Sequence, residues 1–178
     1  GHSAYAQADY SVAIGRTARV GSSGDESIAI GRDAYCTYPK SVAIGYDATA
    51  FNGTGGLALG YEAASTAGTY AAAIGPSYSS AYLGFAANIG TNSSSYGAQG
   101  SFRSVAIGSG AKASANYALA IGGENSLASG VHAIAMGDNS TASHANAVSI
   151  GDSVQSTAAN QINLGGTADT VRISEAYT

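Results

Sequence analysis

Charge is scarce in this chain. Only 10% of its 178 residues are Asp, Glu, Lys or Arg, against about 25% in an ordinary globular domain. The formal net charge is −4, and no basic cluster exists to neutralise phosphates, which excludes a nucleic-acid partner. No apolar run approaches the ~18 residues that a membrane-crossing helix needs, so direct membrane insertion by this segment is not expected. No leader pattern is present, but the chain reads as a piece of a longer protein, and the lack carries no weight. Gly1-His2-Ser3 reads as a tag remnant. Cys36 is the only cysteine, so no intrachain disulfide can form. Tryptophan is absent and proline occurs twice. Low charge with many small residues ordinarily signals disorder; a 45% hydrophobic content and a strict internal period argue against it here.

That period belongs to a tetrapeptide, aliphatic-small-aliphatic-Gly. Its copies end at Gly15, Gly31, Gly45, Gly60, Gly75, Gly90, Gly108, Gly122, Gly137, Gly151 and Gly165, at steps of 14 to 16 residues with one step of 18. Such a spacing cannot hold a helix pair or a propeller blade. It can hold two short strands and two turns, which is one coil of a β-solenoid. With rungs ~4.8 Å apart, eleven coils make a rod of about 50 Å.

In Val12-Ala13-Ile14-Gly15, strand alternation puts Val12 and Ile14 on one side and Ala13 on the other. Stacked coils then predict an aliphatic ladder, read here as the core. The alanine side is nearly flat and suits close approach by another chain. Glycine makes the turn, where positive φ or tight packing penalises a Cβ. A second strand follows with the pattern small-x-small: Ala18/Val20, Ala34/Cys36, Ala48/Ala50, Ala111/Ala113. The residues between (Arg19, Tyr35, Thr49, Ala64, Lys112, Thr141, Gln155) are expected outside, and Cys36 is expected to be a buried small filler. So short a coil encloses little, and one chain cannot offset an ordering cost of ~1–2 kcal/mol per residue by burial alone. Self-association is the natural remedy.

The pattern breaks between about 76 and 103, where Tyr78, Tyr82, Phe85, Tyr96 and Phe102 crowd. Either Leu83, Phe85 or a Tyr refills a thin core there, or residues 91–103 form a protruding aromatic loop that contacts a ligand. A second feature is the column five residues before each glycine, which includes Tyr10, Glu26, Lys40, Tyr70, Phe85, Arg103, Tyr117, His132 and Asn146. It reads as an outer stripe, either solvated or adhesive. Asp33, Asp47, Glu62, Glu124, Asp138 and Asp152 fall just after repeat glycines, where carboxylates cap turn amides. No metal-ligand spacing, calcium nonapeptide or nucleophile elbow is found. Enzyme activity, a metal and a cofactor are therefore not expected.

Ser11-Val12-Ala13-Ile14-Gly15, Ser41-Val42-Ala43-Ile44-Gly45 and Ser104-Val105-Ala106-Ile107-Gly108 resemble the head repeat of the trimeric autotransporter adhesins, the YadA-like heads. The resemblance spans about residues 4–165. It implies an all-β, left-handed parallel β-roll of about 11 coils, assembled as a homotrimer and displayed on the outer surface of Gram-negative bacteria. It also implies attachment to matrix proteins, host-cell proteins or glycans, or other bacteria. A collagen-linked form of the repeat has Asn before Ser-Val-Ala-Ile-Gly and Ser three residues after the Gly. Here those positions hold Tyr10, Lys40 or Arg103, and Ala18, Ala48 or Ala111. The expected organisation is a head over 4–169 and a partial further strand or following segment over 170–178. Tyr78, Tyr82, Tyr96, Phe102 and Arg103 are the expected ligand contacts. A phage tail-fibre segment within a virion is the alternative setting. Ice binding would need a regular Thr array that the outward positions do not supply.

Overall fold

The computed structural model describes residues 1–66, 69–79, 84–87, 99–166 and 169–170, with the side chains of 99 and 100 left aside. The described chain is a parallel β-solenoid, and no helix occurs among the described residues. Each turn adds a two-residue strand to one sheet and a three-residue strand to the other. The first sheet has 10 strands, from Tyr5–Ala6 to Thr141–Ala142; the second has 11, from Val12–Ile14 to Ile162–Leu164. We call them the short and long sheets after their strand lengths. Ten complete two-strand turns result, rather than about eleven. Beside Ile162–Leu164 the short sheet contributes only the single bridge from Thr141 to Gln155.

Register follows the repeat. Ala43 lies between Ala29 and Ala58, with Val42 between Ile28 and Leu57 and Ile44 between Ile30 and Leu59. Identical positions therefore stack into columns along the rod. The glycine column is set by contact as well as by φ. Gly31 has φ +136°, and a Cβ there would overlap the carbonyl oxygen of Gly45 on the next rung. Residues 1–3, expected to be a tag remnant, continue the stack: the His2 carbonyl accepts the Thr17 N–H at 2.9 Å, and Ser3 shares the left-handed backbone of Thr17.

The sides of the long sheet are the reverse of the expectation. Its middle residues point inward: Ala29, Ala43, Ala58, Ala73, Ala106 and Ala120 are all fully buried. Its flanking aliphatics point outward, Ile14 being 55% exposed, Leu59 39% and Ile150 37%. The aliphatic ladder is thus an outer face, and the core is a double layer of small residues. The reason is volume. The short sheet also turns Ala, Ser, Val20 and Cys36 inward, and the two sheets enclose a gap in which Val20 and Cys36 are among the largest fully buried side chains. Alternation gives two sides but not which is inside, and a coil this short has no room for Ile.

Buried serines stitch the two layers together. Ser140 donates to the Ser149 carbonyl and Ser149 to the Thr141 carbonyl, both at 2.9 Å, while Ser79 donates to Gly84 at 3.0 Å. Such pairing is what allows hydroxyls to be buried. Cys36 is the small buried filler expected. Its thiol contacts the Ile28 carbonyl at 3.2 Å, and burial pushes its pKa from 9.0 up to about 12.

At the irregular section, the rung between Ala72–Ile74 and Val105–Ile107 is Phe85–Ala87. The repeat spacing instead predicts Ala87-Asn88-Ile89 there, ahead of Gly90. Ala86 is the inward residue, fully buried, and Phe85 takes an outward aliphatic position beside Ala72 and Val105. Phe85 therefore does not refill the interior. Leu83, Gly90 and residues 91–98 lie outside the described residues.

Candidate functional site

Both turns of a coil use a residue in the left-handed region. Before the long strand these are Tyr10, Glu26, Lys40, Tyr70, Arg103, Tyr117, His132 and Asn146, with φ between 48° and 60°. After the glycine they include Thr17, Asp33, Asp47 and Glu62. This backbone costs a non-glycine residue about 1–2 kcal/mol. The two columns project side chains from the corners of the coil, clear of the small-residue interior.

Stacked rungs bring rings together at these corners. Before the long strand, Phe102 meets Tyr117 edge-to-face at 5.6 Å, and Tyr117 stacks on His132 at 4.9 Å and 26°. The Arg103 guanidinium sits 5.3 Å from the Phe102 ring and 5.9 Å from that of Tyr117. Tyr117 remains 43% exposed. At the other corner the Arg32 guanidinium lies 4.2 Å over Tyr46, which stacks on Tyr61 at 5.1 Å and 15°. Tyr61 donates to Glu62, and the carboxylate raises the phenol's pKa. Arg32 also pairs with Asp33 at 3.5 Å, and Asp33 accepts from the Thr17 hydroxyl. These offset ring pairs and cation–π contacts give each corner a ridge of aromatic edges and charge.

The five expected contact residues are not one cluster. Phe102 and Arg103 lie at the corner before the long strand. Tyr78 lies on the outer face of the short sheet, between Ala64 and Gln99 in register. Tyr82 and Tyr96 fall outside the described residues. The structure adds Tyr117 and His132 to Phe102 and Arg103, and a separate Arg32–Tyr46–Tyr61 column. Both were visible as periodicity: Arg103, Tyr117 and His132 each precede a repeat glycine by five residues, while Arg32, Tyr46 and Tyr61 each follow one directly. The acids were placed correctly, since Asp33, Asp47, Glu62, Glu124, Asp138 and Asp152 all lie in turns. Among the described residues no group of three or more His, Cys, Asp or Glu could hold a metal ion. No helix there is long and apolar enough to cross a membrane.

Comparison with protein families agrees with this architecture. The YadA head domain repeat matches residues 1–18, 39–63, 102–125 and 128–153, together more than half of the chain. The chain belongs to the YadA head family. No individual characterised protein aligns significantly with it.

Proposed function

We propose that this chain is the head of a trimeric autotransporter adhesin, a non-enzymatic attachment module. Three copies bury their long-sheet aliphatic faces against one another. Other segments of the polypeptide anchor the rod at the outer membrane of a Gram-negative cell, where it attaches to host-cell or matrix proteins or glycans, or to other bacteria. One observation carries the reading: the largest apolar side chains of the repeat stand outside the solenoid. Ile14, Leu59, Ile150, Ile162 and Leu164 are 37–68% exposed in the single chain, in columns of Val, Ile and Leu interrupted only by Ala72, Phe85, Ala87 and Met136. A contiguous apolar face of this kind marks an interaction surface, and family membership supplies its partners, two more copies.

Attachment is assigned to the corner column of Phe102, Arg103, Tyr117 and His132, with Tyr78, Tyr82 and Tyr96 from the irregular section. Sedimentation equilibrium of the purified protein is expected to give three times the chain mass, and a monomer overturns the assembly. Beads coated with the protein are expected to adhere to epithelial cells. Replacing Tyr96, Phe102 and Tyr117 with Ala is expected to weaken that adhesion while the melting temperature falls by no more than the loss of the ring contacts explains. Lost stability with adhesion intact would make these residues packing elements instead.

A further inference from the structure

The short sheet has an outer face of its own, opposite the aliphatic one, and its chemistry is distinct. Register aligns Tyr5, Arg19, Tyr35, Thr49, Ala64 and Tyr78 in one column. The residues just after these strands, among them Thr37, Phe51 and Thr66, continue the ladder by one residue and alternate to the same side. Three rungs join into a strip: the Arg19 guanidinium lies 5.4 Å from the Tyr35 ring, and Tyr35 is 6.1 Å from Phe51 at 34°. Tyr35 lies across the sheet, its hydroxyl 3.8 Å from where a Cβ on Gly21 would stand. Tyr5, Phe51 and Tyr78 are 54%, 36% and 43% exposed.

Two further facts narrow the partner. The chain is acidic overall, yet every described Asp and Glu before Asp169 sits in a turn, so this face carries no carboxylate. The buried hydroxyls of Thr37 and Thr66, one rung to either side of Phe51, have no hydrogen-bond partner. Both residues are only half-buried on this face, so a ligand lying on it has two unpaired hydroxyls beneath it to satisfy.

We propose that the N-terminal half of this face, from Tyr5 to Tyr78, binds a neutral polysaccharide chain lying along the rod. The proposal rests on the adhesin reading and adds to the corner column a second surface with its own ligand class. Aromatic faces give a sugar's C–H surface a platform, while hydroxyls and amides meet its polar groups. A polymer of repeating units suits a surface that repeats rung by rung. A protein partner is less well served, because this column offers no aliphatic anchor before Leu127 and no acid for a basic patch. A sulfated chain would find only Arg19 there in the way of a cation.

The test is affinity electrophoresis of the native protein through gels containing soluble mannan, dextran, arabinogalactan or glycol chitin, with heparin as the sulfated arm. Retardation by at least one neutral polymer is expected. The triple variant Tyr35→Ala/Phe51→Ala/Tyr78→Ala should need about tenfold more polymer, or higher still, for half-retardation. Ala64→Arg, which adds bulk between Phe51 and Tyr78 without removing a ring, should do the same with an unchanged melting curve. Tyr46→Ala/Tyr61→Ala, at the corner, should remain retarded. No retardation by any neutral polymer, retardation by heparin alone, or equal retardation of the face variants overturns the proposal. Bead adhesion run alongside separates the two readings. Adhesion that persists without polysaccharide binding sinks this inference and leaves the adhesin standing, and loss of adhesion to protein-coated surfaces in the face variants points to a protein ligand and also sinks it.

Discussion

Ala43 and Ile44 are neighbours in one strand, and the inverted solenoid gives them opposite fates on substitution. Ala43 is fully buried, enclosed above and below by Ala29 and Ala58 and faced by the small residues of the short sheet. Leucine there adds three heavy atoms to a gap sized for a methyl group. Overpacking of this kind costs about 1–3 kcal/mol, sometimes more, and at ~2–4 °C per kcal/mol for a chain of this length the melting temperature should fall by about 2–12 °C. Because the defect is internal, the fall should not depend on protein concentration. Ile44 points outward between Ile30 and Leu59. Serine there leaves the solenoid interior untouched but removes an apolar group from the proposed trimer interface. Full burial of such a side chain is worth about 1.5–3 kcal/mol, and the change occurs once in each of three copies. Ile44→Ser should therefore act on association: a trimer at high concentration that dissociates on dilution, with a melting temperature that follows concentration. Circular-dichroism melts across a hundredfold dilution series, paired with sedimentation velocity, separate the two behaviours. A neutral Ala43→Leu, or an Ile44→Ser that melts early at every concentration while staying associated, would mean that the aliphatics fill the interior after all.

Other expectations follow from the same stack. Gly31→Ala places a Cβ against the Gly45 carbonyl at φ +136°; it should destabilise the rod, with the loss read from thermal melts. The Cys36 thiol should resist Ellman's reagent at pH 8 until the protein is unfolded. Its pKa is raised from 9.0 to about 12 by burial, so above pH 9 the unfolded chain sheds a proton that the folded chain retains. Stability from this group is therefore complete below pH 9 and declines as pH rises from 9 toward 12; denaturant titrations at pH 8 and 10.5 should show a decline that Cys36→Ala makes smaller. Lys40, exposed at φ 58°, should accept Gly with little change or a small gain in melting temperature. Tyr117→Gly relieves the same backbone but gives up the Phe102 and His132 contacts, each worth ~0.5–1.5 kcal/mol, and should not gain.

The winding itself was legible because two constraints repeat together. An aliphatic-Gly pair every 14 to 16 residues, with one step of 18, leaves length for two strands and little more. The small-x-small second strand was placed correctly for a related reason. Ala18, Ala34, Ala48 and Ala111 are fully buried, while the residues between them could not all be inside. The failure came in the long strand, where Val and Ile were assigned to the core because larger apolar groups usually gain most from burial. The corrective was already in the sequence. If both inward columns of the second strand are Ala, Ser, Val or Cys, the layer facing them is thin as well. Phe85–Ala87 was misassigned for a different reason. Gly90 offers the expected punctuation, but the pairing with Ala72–Ile74 and Val105–Ile107 selects the segment with Ala at its centre over one with Asn88. An inward amide would have needed partners that this narrow interior supplies only through serine hydroxyls and backbone.

The corner ladders were half visible for a reason that also bears on how such a rod acquires binding. A column is defined by its distance from the glycine, so Arg103, Tyr117 and His132 could be aligned on paper. Contact between them depends on the ~4.8 Å rise between rungs, which makes any two adjacent aromatic positions touch whatever their separation in sequence. The interior tolerates only small residues, and most glycines of the turn column sit too close to the next rung's backbone for a Cβ. The two corners and the two outer faces are therefore free to vary from rung to rung without altering the winding. The long-sheet face stays aliphatic through almost every rung, as a face does that must meet the same partner along its whole length. The corners and the short-sheet face change from rung to rung: Arg32 to Tyr46 to Tyr61 at one corner, Arg103 to Tyr117 to His132 at the other, and Arg19 to Tyr35 to Thr49 on the face. Uniformity on one side and variation on the other three is the distribution expected when one surface assembles the rod and the rest are left for recognition.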